Sequence, residues 1–375
     1  MASPDEVLEW NYSYDAAFSD PVYSPQTIRH GEELVALDPR NIQPRGSFAE
    51  ALGNEPASQT KIIYTLRHGH TLHNEDSVAW GKNIAWRYLS RLQKNLDPPI
   101  TKTGIADAIL VSQYLSDMVG TNLIPRPVTV YSSPLRRCIE TSMFVIKNSG
   151  LNEPSAEGDG PPVTLRVKEG LREWMGYGHG HNSDRHGSRA EIQALVEDLK
   201  AALGVNISCQ LDVPEQDELH DETYTDVDQR VRGVLNDIFD DASSGSCVML
   251  VLHGRSNKSF LRVLGHPPGD VGEFEIDNCV VLPYGVTRRL LDGREAAERA
   301  ARESAQKQLD QDEAEGGRRE TDDQAVQQVI AWRADPKSGR LDDLWRFLQF
   351  YEDNGDPAAR DAMALLEGDL CESQG

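Results

Sequence analysis

Four short runs of apolar, largely β-forming residues punctuate the chain: Ile62 to Leu66, Val128 to Tyr131, Leu165 to Val167, and Cys247 to Leu252. Between them lie stretches in which apolar residues recur every three to four positions, the spacing of helices. Strand and helix in alternation leave few choices of fold. Each connecting helix must cross back over the sheet, so the strands lie mainly parallel and helices cover both faces. The expected architecture is an α/β three-layer sandwich. Sheets of this kind collect their ligands at the carboxyl ends of their strands, and the residues that follow each run are therefore where chemistry is expected.

The intervening helices can be placed from their periodicity. Val78, Ile84, Ala85, Tyr88 and Leu92 give helical spacing over Ser77 to Leu92. Thr101 is positioned to cap a helix through Ile105, Ile109, Tyr114 and Leu115, another follows Pro134, and two more run near Glu191 to Leu203 and Val227 to Phe239. On this reading residues 1–59 are a polar N-terminal extension and residues 60–290 form one domain. Residues 291–375 hold a charged stretch, Arg294 to Asp323, read as an exposed helix or linker, then docking helices whose apolar face includes Leu341, Leu344, Trp345 and Leu348.

Charge narrows the partners. A formal net charge of -23 works against a nucleic-acid footprint, which needs a basic face to release counterions. A few arginines concentrated in one cleft can still bind an anion. The five cysteines are scattered without a CxxC pair, which fits a reducing compartment, the cytoplasm with the nucleus also open. No run of about 18 apolar residues is present to span a membrane.

The candidate chemistry follows the strands. After the first comes Arg67-His68-Gly69-His70-Thr71-Leu72-His73-Asn74. A neutral imidazole has a lone pair able to attack phosphorus, and the phosphohistidine it forms is labile to water. After the second comes Ser132-Ser133-Pro134-Leu135-Arg136-Arg137, with Thr141 four residues on. Here an arginine fork sits at a helix start, where backbone N–H groups also favour an anion. Leu171-Arg172-Glu173 follows the third strand, and Val251-Leu252-His253-Gly254 closes the fourth.

These motifs, in this order, resemble those of the histidine phosphatase superfamily, phosphoglycerate-mutase-like branch, over Lys61 to Val286. Its Arg-His-Gly-x-Thr-x-x-Asn, Ser-Ser-Pro-x-x-Arg-x-x-x-Thr, Leu-x-Glu and His-Gly elements are all met. Thr101-Lys102-Thr103-Gly104 matches a further helix start, with Ile100 in place of the family's leucine. The resemblance implies that His68 is the nucleophile and that Arg67, Asn74, Arg137 and Gly254 hold phosphate. It further implies that Glu173 protonates the leaving alcohol and that a protonated His253 steadies the phosphoryl group. No metal or cofactor is implied, and the expected partner is a small phosphorylated substrate. Thr71, His179, His181 and Arg185 are candidates for contacts to the rest of that substrate.

Three other readings stay open. His68, His70 and His73 have the His-x-His-x-x-His spacing of a two-metal hydrolase, although Leu72 stands where those sites place an aspartate. A phosphomutase would use the same histidine, but Arg172-Glu173-Trp174-Met175-Gly176-Tyr177 departs from the mutases' Asn-Glu-Arg-His-Tyr-Gly. A domain kept for binding alone is the third.

Overall fold

The computed structural model describes residues 8–13, 28–30, 33–35, 60–120, 125–154, 162–175, 181–217, 221–264, 274–290, 304 and 323–372. Its strands are β1 (Leu8–Ser13), β2 (Ile28–His30), β3 (Glu33–Val35), β4 (Thr60–Arg67), β5 (Thr129–Ser132), β6 (Thr164–Lys168), β7 (Cys209–Asp212), β8 (Cys247–Leu252), β9 (Phe274–Glu275) and β10 (Val281–Leu290). The longer helices are α1 (Leu72–Trp80), α2 (Lys102–Gly120), α3 (Arg136–Asn148), α4 (Arg189–Leu203), α5 (Tyr224–Asp240), α6 (Gly254–Val263), α7 (residues 323–334), α8 (Arg340–Asp353) and α9 (Pro357–Glu372).

The main sheet has the order β1-β10-β4-β8-β5-β6-β7. From β4 to β7 every pairing is parallel, while β10 runs antiparallel to both β4 and β1. Side chains on a strand alternate between faces, and this sequence uses both. Ile62, Tyr64 and Leu66 pack on one side against α2, α3 and α4, through Val111, Ile139 and Ile192 among others. Ile63, Val248, Leu250 and Leu252 pack on the other side against α5 and α6, through Leu235 and Phe260. Central β8 is buried along its whole length, as a strand covered on both faces must be. The architecture is the three-layer α/β sandwich.

The observed elements differ from the sequence reading in the first helix and in the segment before residue 60, as well as in further strands, β7, β9 and β10. The helix expected over Ser77 to Leu92 begins earlier, at Leu72, and breaks at Gly81, whose φ of +90° no helix accommodates. A separate helical piece, residues 82–89, follows. The segment before residue 60 supplies β1, which pairs with β10 from Leu8↔Leu290 to Ser13↔Gly285, and also β2 and β3, which join β9 in a second sheet.

A third apolar cluster lies outside both faces of the main sheet. Ile84, Tyr88, Leu89 and Leu92 pack against Val329 of α7, Leu344 and Leu348 of α8, and Leu366 of α9. Polar contacts reinforce it: Arg87 grips Asp369 with Nε at 2.9 Å and Nη2 at 2.8 Å, and the Tyr88 hydroxyl donates to the same carboxylate at 2.6 Å. Of the charged stretch Arg294 to Asp323, only residues 304 and 323 are among the described residues.

Candidate active site

β4 and β8 lie side by side in register, with Arg67 opposite Leu252. The next residue of each strand is a histidine, and the parallel pairing brings the two rings to a centroid separation of 5.0 Å. The N–H of His68 donates to the Leu252 carbonyl at 2.9 Å, which anchors the strand end. Its Nδ1 lies 2.8 Å from the Gly69 carbonyl oxygen. A carbonyl only accepts, so Nδ1 carries the proton and Nε2 keeps its lone pair. Burial, with Arg137 and Arg67 nearby, holds the imidazolium well below the usual histidine range. The ring is the neutral tautomer that a nucleophile needs.

The loop beyond His68 is fixed from three directions. Gly69 N–H donates to Thr141 Oγ1 at 2.9 Å, which explains the threonine of the second motif. Asn278 Nδ2 donates to the His68 carbonyl at 2.8 Å. Gly104, at the start of α2, abuts the loop so closely that a Cβ there would sit 2.7 Å from His70 N and against the His70 carbonyl, and one at Gly69 would sit 2.8 Å from Gly104 O. That contact accounts for the glycine in the Thr101 to Gly104 motif.

Arg137 is the second residue of α3 and is almost wholly buried. Its Nε donates to His253 Nδ1 at 3.2 Å, so that nitrogen is an acceptor and His253 keeps its proton on Nε2, 2.7 Å from Ser133 Oγ. Burial, with Arg137, His68 and Arg67 around it, pushes the His253 pKa well down, where the resemblance implied a protonated ring against a phosphoryl group. The other ends of Arg137 are also engaged. Nη1 donates to the Ser183 carbonyl, and Nη2 pairs with Asp184 Oδ1 at 3.0 Å. Nearby, Asp97 Oδ1 accepts the backbone N–H of Arg136 at 2.8 Å. Two carboxylates therefore hold anion positions at the start of α3. Burial raises Asp184 to about 6, against the pull of Arg137, and raises Asp97 to about 7.

Arg67 donates from Nη1 to the Ile276 carbonyl, and Gly254 lies over its guanidinium, with 3.8 Å from that carbon to where a Cβ would stand. Glu173 is held by three backbone N–H groups. Oε1 accepts from Trp174 at 2.9 Å and Ser256 at 3.2 Å, and Oε2 from Arg255 at 3.2 Å. Two of those donors belong to the first turn of α6, which begins directly after His253. Asn74 Oδ1 accepts from Thr71 N at 3.0 Å and Thr71 Oγ1 at 2.9 Å, capping α1 and leaving the Nδ2 donors for an anion.

Among the residues proposed for the rest of the substrate, Thr71 is this buried cap, and His181 is buried with its ring against Trp86. Arg185 is half-buried, and Ser183 and Asp184, rather than Arg185, face Arg137. His179 lies outside the described residues. The three histidines of the His-x-His-x-x-His run do not converge. His68 Nδ1 faces Gly69 O, His70 Nδ1 lies 3.1 Å from Thr101 Oγ1, and His73 Nδ1 lies 3.2 Å from Thr71 Oγ1. Among the described residues, no group of three His, Cys, Asp or Glu side chains is arranged to hold a metal. The same residues contain no helix long and apolar enough to cross a membrane.

The family described as the histidine phosphatase superfamily (branch 1) matches residues 63–289 of this sequence. The chain belongs to that superfamily. A curated relative from Arthroderma benhamiae, described as a probable phosphoglycerate mutase, is 30% identical over 258 residues, 67% of this chain and 70% of that protein. One from Saccharomyces cerevisiae, also described as a probable phosphoglycerate mutase, is 29% identical over 253 residues, 64% and 80% of the respective chains. Among solved structures, the ecdysone phosphate phosphatase of Bombix mori in complex with tungstate aligns with a TM-score of 0.39 and 18% identity, covering 59% of this chain and 87% of that one. As a member of this superfamily, the chain also brings to the site residues to which the resemblance gave no role. Asn278 steadies His68, Ser133 Oγ accepts a hydrogen bond from His253 Nε2–H, and Asp97 and Asp184 sit by the start of α3. Only Ser133 stood within a motif.

Proposed function

We propose that the protein is a phosphatase that hydrolyses a small phosphomonoester through a phosphohistidine on His68, without a metal ion or cofactor. The observation that carries this reading is the tautomer of His68: Nδ1 is tied to the Gly69 carbonyl, which directs the Nε2 lone pair to the substrate. Arg67, Arg137 and the Asn74 amide would neutralise the phosphate oxygens, supplying by fixed charge what a metal supplies elsewhere. His253 Nε2–H would turn from Ser133 to a phosphoryl oxygen. As the Nε2–P bond forms, the bond from phosphorus to the alkoxy oxygen breaks and Glu173 passes its proton to the departing alcohol. Water then attacks phosphorus, giving a proton back to Glu173, and the N–P bond breaks to free inorganic phosphate.

A phosphomutase is the second reading, supported by the descriptions of the A. benhamiae and S. cerevisiae relatives. It shares the His68 step and differs only in whether an alcohol or water takes the phosphoryl group.

The test is turnover of para-nitrophenyl phosphate with and without a strong chelator, alongside His68→Ala, and isomerisation of 3-phosphoglycerate primed with 2,3-bisphosphoglycerate. Chelator-resistant hydrolysis that disappears in His68→Ala is the expected result. Chelator-sensitive hydrolysis would restore the metal reading, and isomerisation without phosphate release would establish the mutase.

A further inference from the structure

Arg230, on α5, belongs to none of the motifs above, yet its guanidinium is bonded to the backbone that carries Glu173. Nη1 donates to the carbonyls of Gly170 at 3.0 Å and Arg172 at 2.6 Å, and Nη2 donates to the carbonyl of Glu173 itself at 3.1 Å. Its remaining donors go to Glu222, Nε to Oε1 at 2.9 Å and Nη2 to Oε2 at 3.1 Å. A guanidinium has five N–H donors, and each has an acceptor here. Glu222 is 1% exposed and continues the grip on the far side of the acid. Its Oε2 accepts the Met175 N–H at 3.1 Å, and its carbonyl accepts the Trp174 indole N–H at 2.7 Å. Gly170 lets the segment lie directly on α5, since a Cβ there would stand 2.9 Å from the Arg230 carbonyl.

We propose that Arg230, locked to Glu222, is the positioning residue for proton transfer: it sets where the Glu173 carboxyl meets the leaving-group oxygen. This rests on the reading of Glu173 as the acid. The arrangement is divided in a way that suits the task. Arg230 and Glu222 hold the backbone on both sides of Glu173, while the first turn of α6 holds its carboxylate. The acid is thereby tied to the same helix that His253 precedes, so nucleophile, second histidine and acid share one frame. A buried ion pair adds little stability compared with apolar packing of the same volume. What this pair supplies is geometry, and a misplacement of about 1 Å in a reacting group costs about a hundredfold in rate.

The test compares kcat/KM for an aryl phosphate, whose oxygen departs readily, with that for an alkyl phosphate, whose oxygen needs the proton. The full chain would carry Glu173→Gln, Arg230→Met, Arg230→Lys, and the double change Glu173→Gln with Arg230→Met. Arg230→Met should lose about a hundredfold on the alkyl phosphate and far less on the aryl one. Arg230→Lys should recover part of the loss, and the double variant should be no worse on the alkyl phosphate than Glu173→Gln alone. Equal losses on both substrates, or losses that multiply in the double variant, would overturn the proposal. If Glu173→Gln treats both substrates alike, the acid assignment fails and takes the proposal with it. If Glu173→Gln discriminates and Arg230→Met does not, the positioning role alone fails. Circular dichroism checks folding, and Glu222→Gln, expected to show the same substrate dependence in milder form, carries the comparison should Arg230→Met not fold.

Discussion

Asp184 is the residue whose placement most changes expectations of how this site behaves. It pairs with Arg137 at 3.0 Å, the guanidinium proposed to hold the substrate phosphate, and after burial it is Arg137, Glu173 and Ser183 that act on its titration. With its pKa raised to about 6 by burial, it is neutral below that pH and charged above it. A dianion entering beside Arg137 then meets a neutral acid at pH 5 and a carboxylate at pH 7. Inhibition by tungstate should therefore weaken as pH rises through about 6, by about tenfold for each pKa unit of coupling. Asp184→Asn should bind tungstate more tightly at pH 7 and flatten the profile; an unchanged profile would show that the carboxylate only orients Arg137. The sequence pointed to His68, Arg67, Arg137, Glu173 and His253 because they stand in motifs, after strand runs, that resemble those of the superfamily. Asp184, Asp97, Asn278 and Arg230 were not legible, since each stands in ordinary surroundings along the chain and reaches the site only through packing.

At the scale of the element, the approach of the His68 loop to α2 is, among the glycines of the described residues, the closest of backbone to backbone. The backbones of Gly69 and Gly104 touch, and no side chain fits between them. Gly104→Ala should cost about 1–3 kcal/mol, the range for overpacking a close contact, and should lower kcat as well by displacing the loop that holds His68. Urea unfolding and steady-state rates check both halves, and an alanine variant with native stability would mean that the loop can yield. Strands read from sequence were those with a run of buried apolar residues, whether on both faces, as in Val248 to Leu252, or mainly on one, as Leu165 and Val167 of β6. β7 was passed over because Cys209-Gln210-Leu211-Asp212 is a half-exposed edge, with Gln210 and Asp212 facing solvent. β10 was passed over because Pro283 and Gly285 interrupt it, and both residues normally argue against a strand. β1 carries Asn11 and Tyr12 in a polar context that composition alone assigns to a tail.

Across the whole molecule, the helices of residues 323–372 pack onto the stretch that holds the loop beside Arg137. α7, α8 and α9 bury Ile84, Tyr88, Leu89 and Leu92, and the same stretch bonds the loop bearing Asp184: Asn182 N–H donates to the Ser90 carbonyl at 3.3 Å, and Asp97 N–H to the Asn182 carbonyl at 3.1 Å. Asp369 holds this layer through Arg87 and Tyr88. Asp369→Ala removes the bidentate acceptor of Arg87 and the acceptor of the Tyr88 hydroxyl and should cost about 3 kcal/mol, the lower end for breaking a buried pair. It should also raise KM more than it lowers kcat, because Asp369 is remote from His68 but supports the loop beside Arg137. Urea unfolding and a Michaelis series would measure both, and native values would show that the helices dock without this contact. The pairing of Leu8 with Leu290 has a further consequence, in time rather than space. β1 is made roughly 280 residues ahead of its partner, Leu8 against Leu290, and at synthesis rates of about 5–20 residues per second that separation is on the order of tens of seconds. Through that interval β1 is a nascent strand without its partner, open to pairing with any other exposed strand edge until β10 arrives.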